Sequence, residues 1–155
     1  MKPPVLIDIE LIGSGDAIVD PQIMPSLAEL NQADRSLVLL ARRPDGWKPT
    51  RNRVDQAFKL QSDIEAMVNR GGGMLDAILY LDFSLFSRQK QRKAALIDLA
   101  ARYGCEMSQM TAICRADGRI TDTLAECEIP LQSVDNQHSL KQRIGQILAK
   151  AKVDK

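Results

Sequence analysis

A three-layer α/β architecture, with a parallel sheet of about five strands between helices on both faces, is what the 155-residue sequence predicts. Two patterns carry that expectation: short, unbroken apolar runs, and longer amphipathic stretches lying between them. A strand buried on both faces reads as a continuous aliphatic run, whereas a surface helix repeats its apolar residues three and four apart.

Val5-Leu6-Ile7-Asp8-Ile9 is the first run, too short for a helix. Leu37-Val38-Leu39-Leu40, Ala77-Ile78-Leu79-Tyr80-Leu81 and Met110-Thr111-Ala112-Ile113-Cys114 follow. Ile129 to Val134 is a fifth, where Pro130 points to a strand's first residues or a sheet edge. Between the runs, Pro25 opens a short helix carrying Leu27 and Leu30 on one face. Residues 51–69 place Val54, Phe58, Ile64 and Val68 on one stripe, ended by Gly71-Gly72-Gly73. Leu96, Leu99, Ala100 and Tyr103 mark a helix over 89–103, stopped by Gly104. Leu140, Ile144, Ile147, Leu148 and Ala151 predict a C-terminal helix over about 139–152. Residues 41–53, with Trp47, read as a long loop, and no repeat divides the chain. A single domain over 1–155 is expected.

Composition narrows the function. Hydrophobic residues make up 45% and charged residues 26%, enough for a substantial core. Lys plus Arg (21) nearly balance Asp plus Glu (20), which argues against a dedicated nucleic-acid or membrane-surface protein. Arg42, Arg43, Lys48, Arg51 and Arg53 beside Trp47 suit base stacking, but six aromatic residues in all make nucleic acid the weakest partner class. No apolar run approaches the ~20 residues of a membrane span. The start Met1-Lys2-Pro3-Pro4-Val5 has no signal-peptide pattern. Cys105, Cys114 and Cys127 are odd in number, dispersed and without a CxxC, so a cytoplasmic location is expected and a structural zinc site is not. His138 reads as a surface residue near a helix start, and Cys114 as a core residue.

In doubly wound sheets, ligands bind outside the carboxyl ends of the strands. That rule selects Asp8 to Glu10, Ala41 to Arg43, Asp82 onward and Arg115 to Asp122. A carboxylate ending a buried strand is costly to leave unpaired. Asp8 and Glu10 together suit a nucleophile beside an acid/base, or a pair of metal ligands. The plainer alternative is that Asp8 caps the next turn and Glu10 is solvated.

Val5-Leu6-Ile7-Asp8-Ile9-Glu10 resembles the first motif of the haloacid dehalogenase (HAD) superfamily, a hydrophobic strand ending in Asp-x-Asp. Ile23 to Asn31 followed by Leu37 to Ala41 is similar to its histidinol-phosphatase and heptose-bisphosphate-phosphatase branch. Lys90, fourteen residues before Gly104, resembles the lysine of that branch's Lys-Pro-x-Pro-Gly helix. The likeness covers roughly residues 4–134 in matching order. It implies a Rossmann-like HAD fold and a Mg²⁺-dependent phosphomonoesterase acting on a small phosphorylated metabolite. Asp8 would be the nucleophile and a Mg²⁺ ligand, Glu10 the acid/base, and Lys90 the cation at the transferring phosphoryl group.

The sequence departs from the family at several of these positions. Glu10 stands where the family has Asp, Ala41 where it has a phosphate-binding hydroxyl, and Gln91 and Lys93 where it has prolines. Arg42 is then the candidate to hold phosphate electrostatically. The fourth motif aligns two ways: without a gap Arg115 takes the place of the first metal-binding Asp, and with a two-residue insertion Asp117 and Asp122 complete a metal set with Asp8. The branch's cysteine-rich zinc loop is absent, and the interval from Tyr80 to Ser87 is apolar through Phe83, Leu85 and Phe86, which suits core packing. Two readings emerge. The leading one is a slow phosphatase working through an aspartyl-phosphate on Asp8; the alternative is a pseudoenzyme that uses the same fold for binding or regulation.

Overall fold

The computed structural model describes residues 2–14, 17–18, 21–43, 51–83 and 88–153. Among them the five apolar runs form one all-parallel sheet: β1 (Val5–Asp8), β2 (Leu37–Arg42), β3 (Leu75–Leu81), β4 (Thr111–Arg115) and β5 (Leu131–Val134). Their spatial order is β3-β2-β1-β4-β5. The central strand β1 pairs Val5 with Leu37 on one side and with Thr111 on the other. Its two inner neighbours are therefore reached by opposite windings of the chain, and the crevice for a ligand opens at the end of β1. Pro130, which has no N–H to donate, sits just ahead of the edge strand β5, and its carbonyl accepts the Ala112 N–H at 2.9 Å.

Five helices among the described residues cover the sheet: α1 (Met24–Gln32), α2 (Arg51–Arg70), α3 (Gln89–Arg102), α4 (Arg119–Glu126) and α5 (Leu140–Val153). Alternation along β1 divides the core. Val5 and Ile7 pack with Leu27, Ile64 and Ile144 from α1, α2 and α5. Leu6 packs with Leu96, Leu99 and Leu124 from α3 and α4 on the other face. Gly104 stops α3 in the left-handed region, at φ 64°, where a side chain would be strained. No helix among the described residues is long and apolar enough to cross a membrane.

The structure corrects two helical readings. Phe58 is 62% exposed, and the buried stripe of α2 is Leu60, Ile64 and Val68. At 100° per residue, Phe58 lies about 120° around the helix from Ile64. α4 was not anticipated; its buried face rests on Ile120, Thr123 and Leu124 alone. Both ends of the loop expected over 41–53 belong to regular elements, since β2 runs to Arg42 and α2 begins at Arg51; residues 44–50 lie outside the described residues. Trp47, Lys48, Leu85 and Phe86, with the side chains of Arg51, Arg53, Val54 and Ala151, lie outside the described residues.

Gly73 lies where α1, α2 and the entry to β3 meet. A Cβ there would stand 3.0 Å from Asn31 Oδ1, 3.2 Å from the Ala28 backbone and 3.3 Å from Val68. Asn31 is itself committed, accepting the Met74 N–H at 2.8 Å and donating to the Arg35 carbonyl at 3.1 Å. Gly73→Ala is expected to lower stability by about 1 kcal/mol through overpacking, read as a lower urea midpoint at unchanged slope.

Candidate ligand site at the strand ends

Asp8 ends β1 with 5% of its surface exposed. Its Oδ1 accepts the Glu10 N–H at 3.0 Å and caps the 3-10 turn Ile9–Leu11. Burial pushes its carboxyl above the usual range, and the neighbouring Glu10 charge adds to that shift. The capping hydrogen bond and the cations of Arg115 and Arg42 pull the other way. The net direction is upward, toward the protonated acid.

Glu10 is turned out of the core and pairs with Arg115, Nη2 to Oε2 at 3.3 Å, both side chains about half exposed. The plainer of the two readings of this pair of carboxylates, Asp8 as a cap and Glu10 outside the core, therefore describes the local geometry, with an ion pair added. Arg115 is the last residue of β4, and its carbonyl accepts the Thr121 hydroxyl at 2.7 Å. Of the two alignments of the fourth motif, the one without a gap brings its residue beside Glu10.

A cleft of about 150 Å³ opens next to this pair, lined by Glu10, Ala41, Arg42, Leu60 and Tyr80 among others. Ala41 is buried and presents a methyl group where a phosphate-binding hydroxyl was sought. Tyr80 stands opposite it on β3, donating its hydroxyl to Gln61 Oε1 at 2.6 Å. Sequence reasoning placed Tyr80 in a strand but not at the site; the signal was its register beside Ala41. Arg42 ends β2, reaches the cleft and stacks 5.9 Å from the Phe83 ring, with Arg92 4.7 Å from the same ring. Phe83 packs against the core on the α3–α4 side, as its apolar interval suggested.

Lys90 is exposed in the first turn of α3 and does not line the cleft of Glu10 and Arg42. Asp117 is exposed in the turn before α4. Asp122, in the first turn of α4, lines a separate cleft of about 280 Å³ with Arg92, Arg119 and Glu126. Among the described residues no three His, Cys, Asp or Glu side chains come together to hold a metal ion. Cys114 is buried in the core, and His138 is half-buried, its backbone N–H and ring both on Asp135 Oδ1.

Sheet order, crossovers and the carboxylate ending the central strand define a HAD-like α/β fold, and solved structures share it. D,D-heptose 1,7-bisphosphate phosphatase from B. bronchiseptica, complexed with magnesium and phosphate, is similar over 97% of this chain and 99% of its own, with TM-score 0.68 and 18% identity. The D,D-heptose 1,7-bisphosphate phosphatase from Burkholderia thailandensis matches over 96% and 99%, with TM-score 0.60 and 15% identity. A protein described as a HAD-like phosphatase from Mesorhizobium loti matches over 98% and 87%, with TM-score 0.61 and 13% identity. No protein-family model and no curated protein sequence matches the chain.

The residues here do not fit the magnesium of the first of these proteins. Mg²⁺ takes oxygen ligands in strict octahedral geometry and is anchored by ionised carboxylates. Burial disfavours the ionised form of Asp8, Glu10 is engaged by Arg115, and that guanidinium would repel a dication.

Proposed function

We propose that this chain is a HAD-fold protein that takes a small phosphorylated molecule at its strand ends and holds it without hydrolysing it. The observation that carries this reading is the Arg115–Glu10 pair standing beside a buried Asp8. Cations surround the crevice while the machinery of an aspartyl-phosphate is weakened. Burial disfavours the ionised carboxylate that would attack phosphorus, and Ala41 offers no hydroxyl to the phosphoryl oxygens. Arg42 binds phosphate from the β2 side. The solved heptose-bisphosphate phosphatase with phosphate bound supports phosphate as the ligand chemistry.

Titration calorimetry with a sugar phosphate tests this. Binding is expected in the millimolar to micromolar range, weakened severalfold in Arg42→Ala, since a hydrogen bond to a charged group contributes about 1.5–3 kcal/mol when well formed. Absence of binding to any phosphate monoester would contradict it.

The competing reading is a phosphomonoesterase with Asp8 as nucleophile, Glu10 as acid/base, Lys90 as charge neutraliser, and Mg²⁺ held by Asp8 with Asp117 or Asp122. The observation in its favour is that Asp8 and Glu10 share one strand end, joined by the 3.0 Å hydrogen bond. Turnover separates the two readings.

A further inference from the structure

We infer that the guanidinium of Arg115 replaces, in this chain, the divalent cation that accompanies phosphate in the B. bronchiseptica enzyme, with Glu10 as its counterion until phosphate arrives. The inference rests on the phosphate-binding reading above and names the group that makes binding independent of metal.

Position is the first argument. β1 and β4 run side by side with Ile7 opposite Ile113, so the chains leave the sheet together at Asp8 and, two residues beyond Ile113, at Arg115. The backbone of Arg115 is anchored by its place in β4, in register with Val134, and by the Thr121 hydroxyl on its carbonyl. Its side chain is 52% exposed, so the anchored stem carries a head that can reach a ligand.

Charge is the second. The charges of Arg115 and Arg42 both act on Asp8, and Arg42 lines the same cleft as Glu10. A dianionic phosphate ester entering there meets the Arg42 guanidinium, with that of Arg115 beside the cleft on Glu10. Among the described residues no third carboxylate joins Asp8 and Glu10 in a cluster that could hold a dication, and Asp122 lines the cleft of Arg92 and Arg119. A guanidinium offers planar paired donors that match phosphate oxygens and stays charged at every physiological pH. No chelator removes it.

Glu10 sets the energetic balance. An ion pair between half-exposed side chains contributes little, about 0–1 kcal/mol, because water screens it. Phosphate, carrying more charge and more acceptor oxygens than a carboxylate, displaces Glu10 from Arg115. Removing the Glu10 charge therefore strengthens phosphate binding, whereas removing Arg115 weakens it.

The test is titration calorimetry with inorganic phosphate in EDTA and again in MgCl₂, on the wild type and on Glu10→Gln, Arg115→Lys, Arg115→Ala and Arg115→Asp. Circular dichroism verifies that each variant is folded, as expected for changes to an exposed head group. The wild type should bind equally in both buffers. Arg115→Ala should weaken binding about tenfold or more, Arg115→Lys should keep part of the affinity, and Glu10→Gln should bind severalfold more tightly. Arg115→Asp should lose phosphate binding in EDTA and recover it with Mg²⁺, since it places a carboxylate where the cation stood. Wild-type binding that requires Mg²⁺, or an unchanged affinity in Arg115→Ala, would overturn the inference and leave phosphate binding standing. No phosphate binding by either the wild type or Glu10→Gln would overturn the phosphate-binding reading itself.

Discussion

Incubated with an aryl phosphate and Mg²⁺, the protein is expected to release phosphate no faster than its Asp8→Asn variant. Three deficits combine. Ala41 removes one donor to the phosphoryl oxygens, and loss of one such donor typically costs about 10²–10³ in rate. Glu10 is a methylene longer than Asp and is held by Arg115, and a misplacement near 1 Å costs about a hundredfold. Burial adds to both by disfavouring the ionised, nucleophilic form of Asp8. Together these amount to at least about four orders of magnitude below a competent site. Phosphate release that disappears in Asp8→Asn would establish Asp8 as a nucleophile and favour the phosphatase reading.

Asp8→Asn is also expected to stabilise the fold at pH 7, by about 1–2 kcal/mol or a melting temperature higher by roughly 4 °C. The amide keeps the acceptor oxygen for the Glu10 N–H and removes a buried charge. The sign with pH follows from the raised pKa. Below the ordinary value of 3.8 the carboxyl is protonated in both folded and unfolded chains, and its burial costs nothing extra. As pH rises from there through the raised folded value, the unfolded chain ionises first and the wild type loses stability. The advantage of Asp8→Asn should therefore be absent below pH 3.8 and grow across that window. A variant less stable than the wild type at pH 7 would mean that Arg115 and Arg42 outweigh burial.

All five strands were legible in the sequence, because strands buried on both faces leave unbroken aliphatic runs that no other element produces at that length. Helices α1, α3 and α5 were legible from repeated apolar spacing, and α4 was not, because eight residues with two aliphatic contacts scarcely establish a period. In α2 the helix was visible, but its stripe was drawn through Phe58 rather than Leu60. At the site, Asp8 stood out as an acid ending a buried strand. Its electrostatic partner did not: whether Arg115 or Asp117 comes back to the crevice depends on the turn after β4, and turn geometry has no periodicity to read. Lys90 shows the same limit, since being at a helix start does not determine which cleft a side chain reaches.

A crystal structure of the protein grown with both Mg²⁺ and phosphate is the most direct test. Phosphate held between the Arg42 and Arg115 guanidinium groups, with Glu10 released and no metal on Asp8, is the predicted result. A magnesium ion coordinated by the Asp8 carboxylate, with Arg115 turned away to solvent, would contradict it.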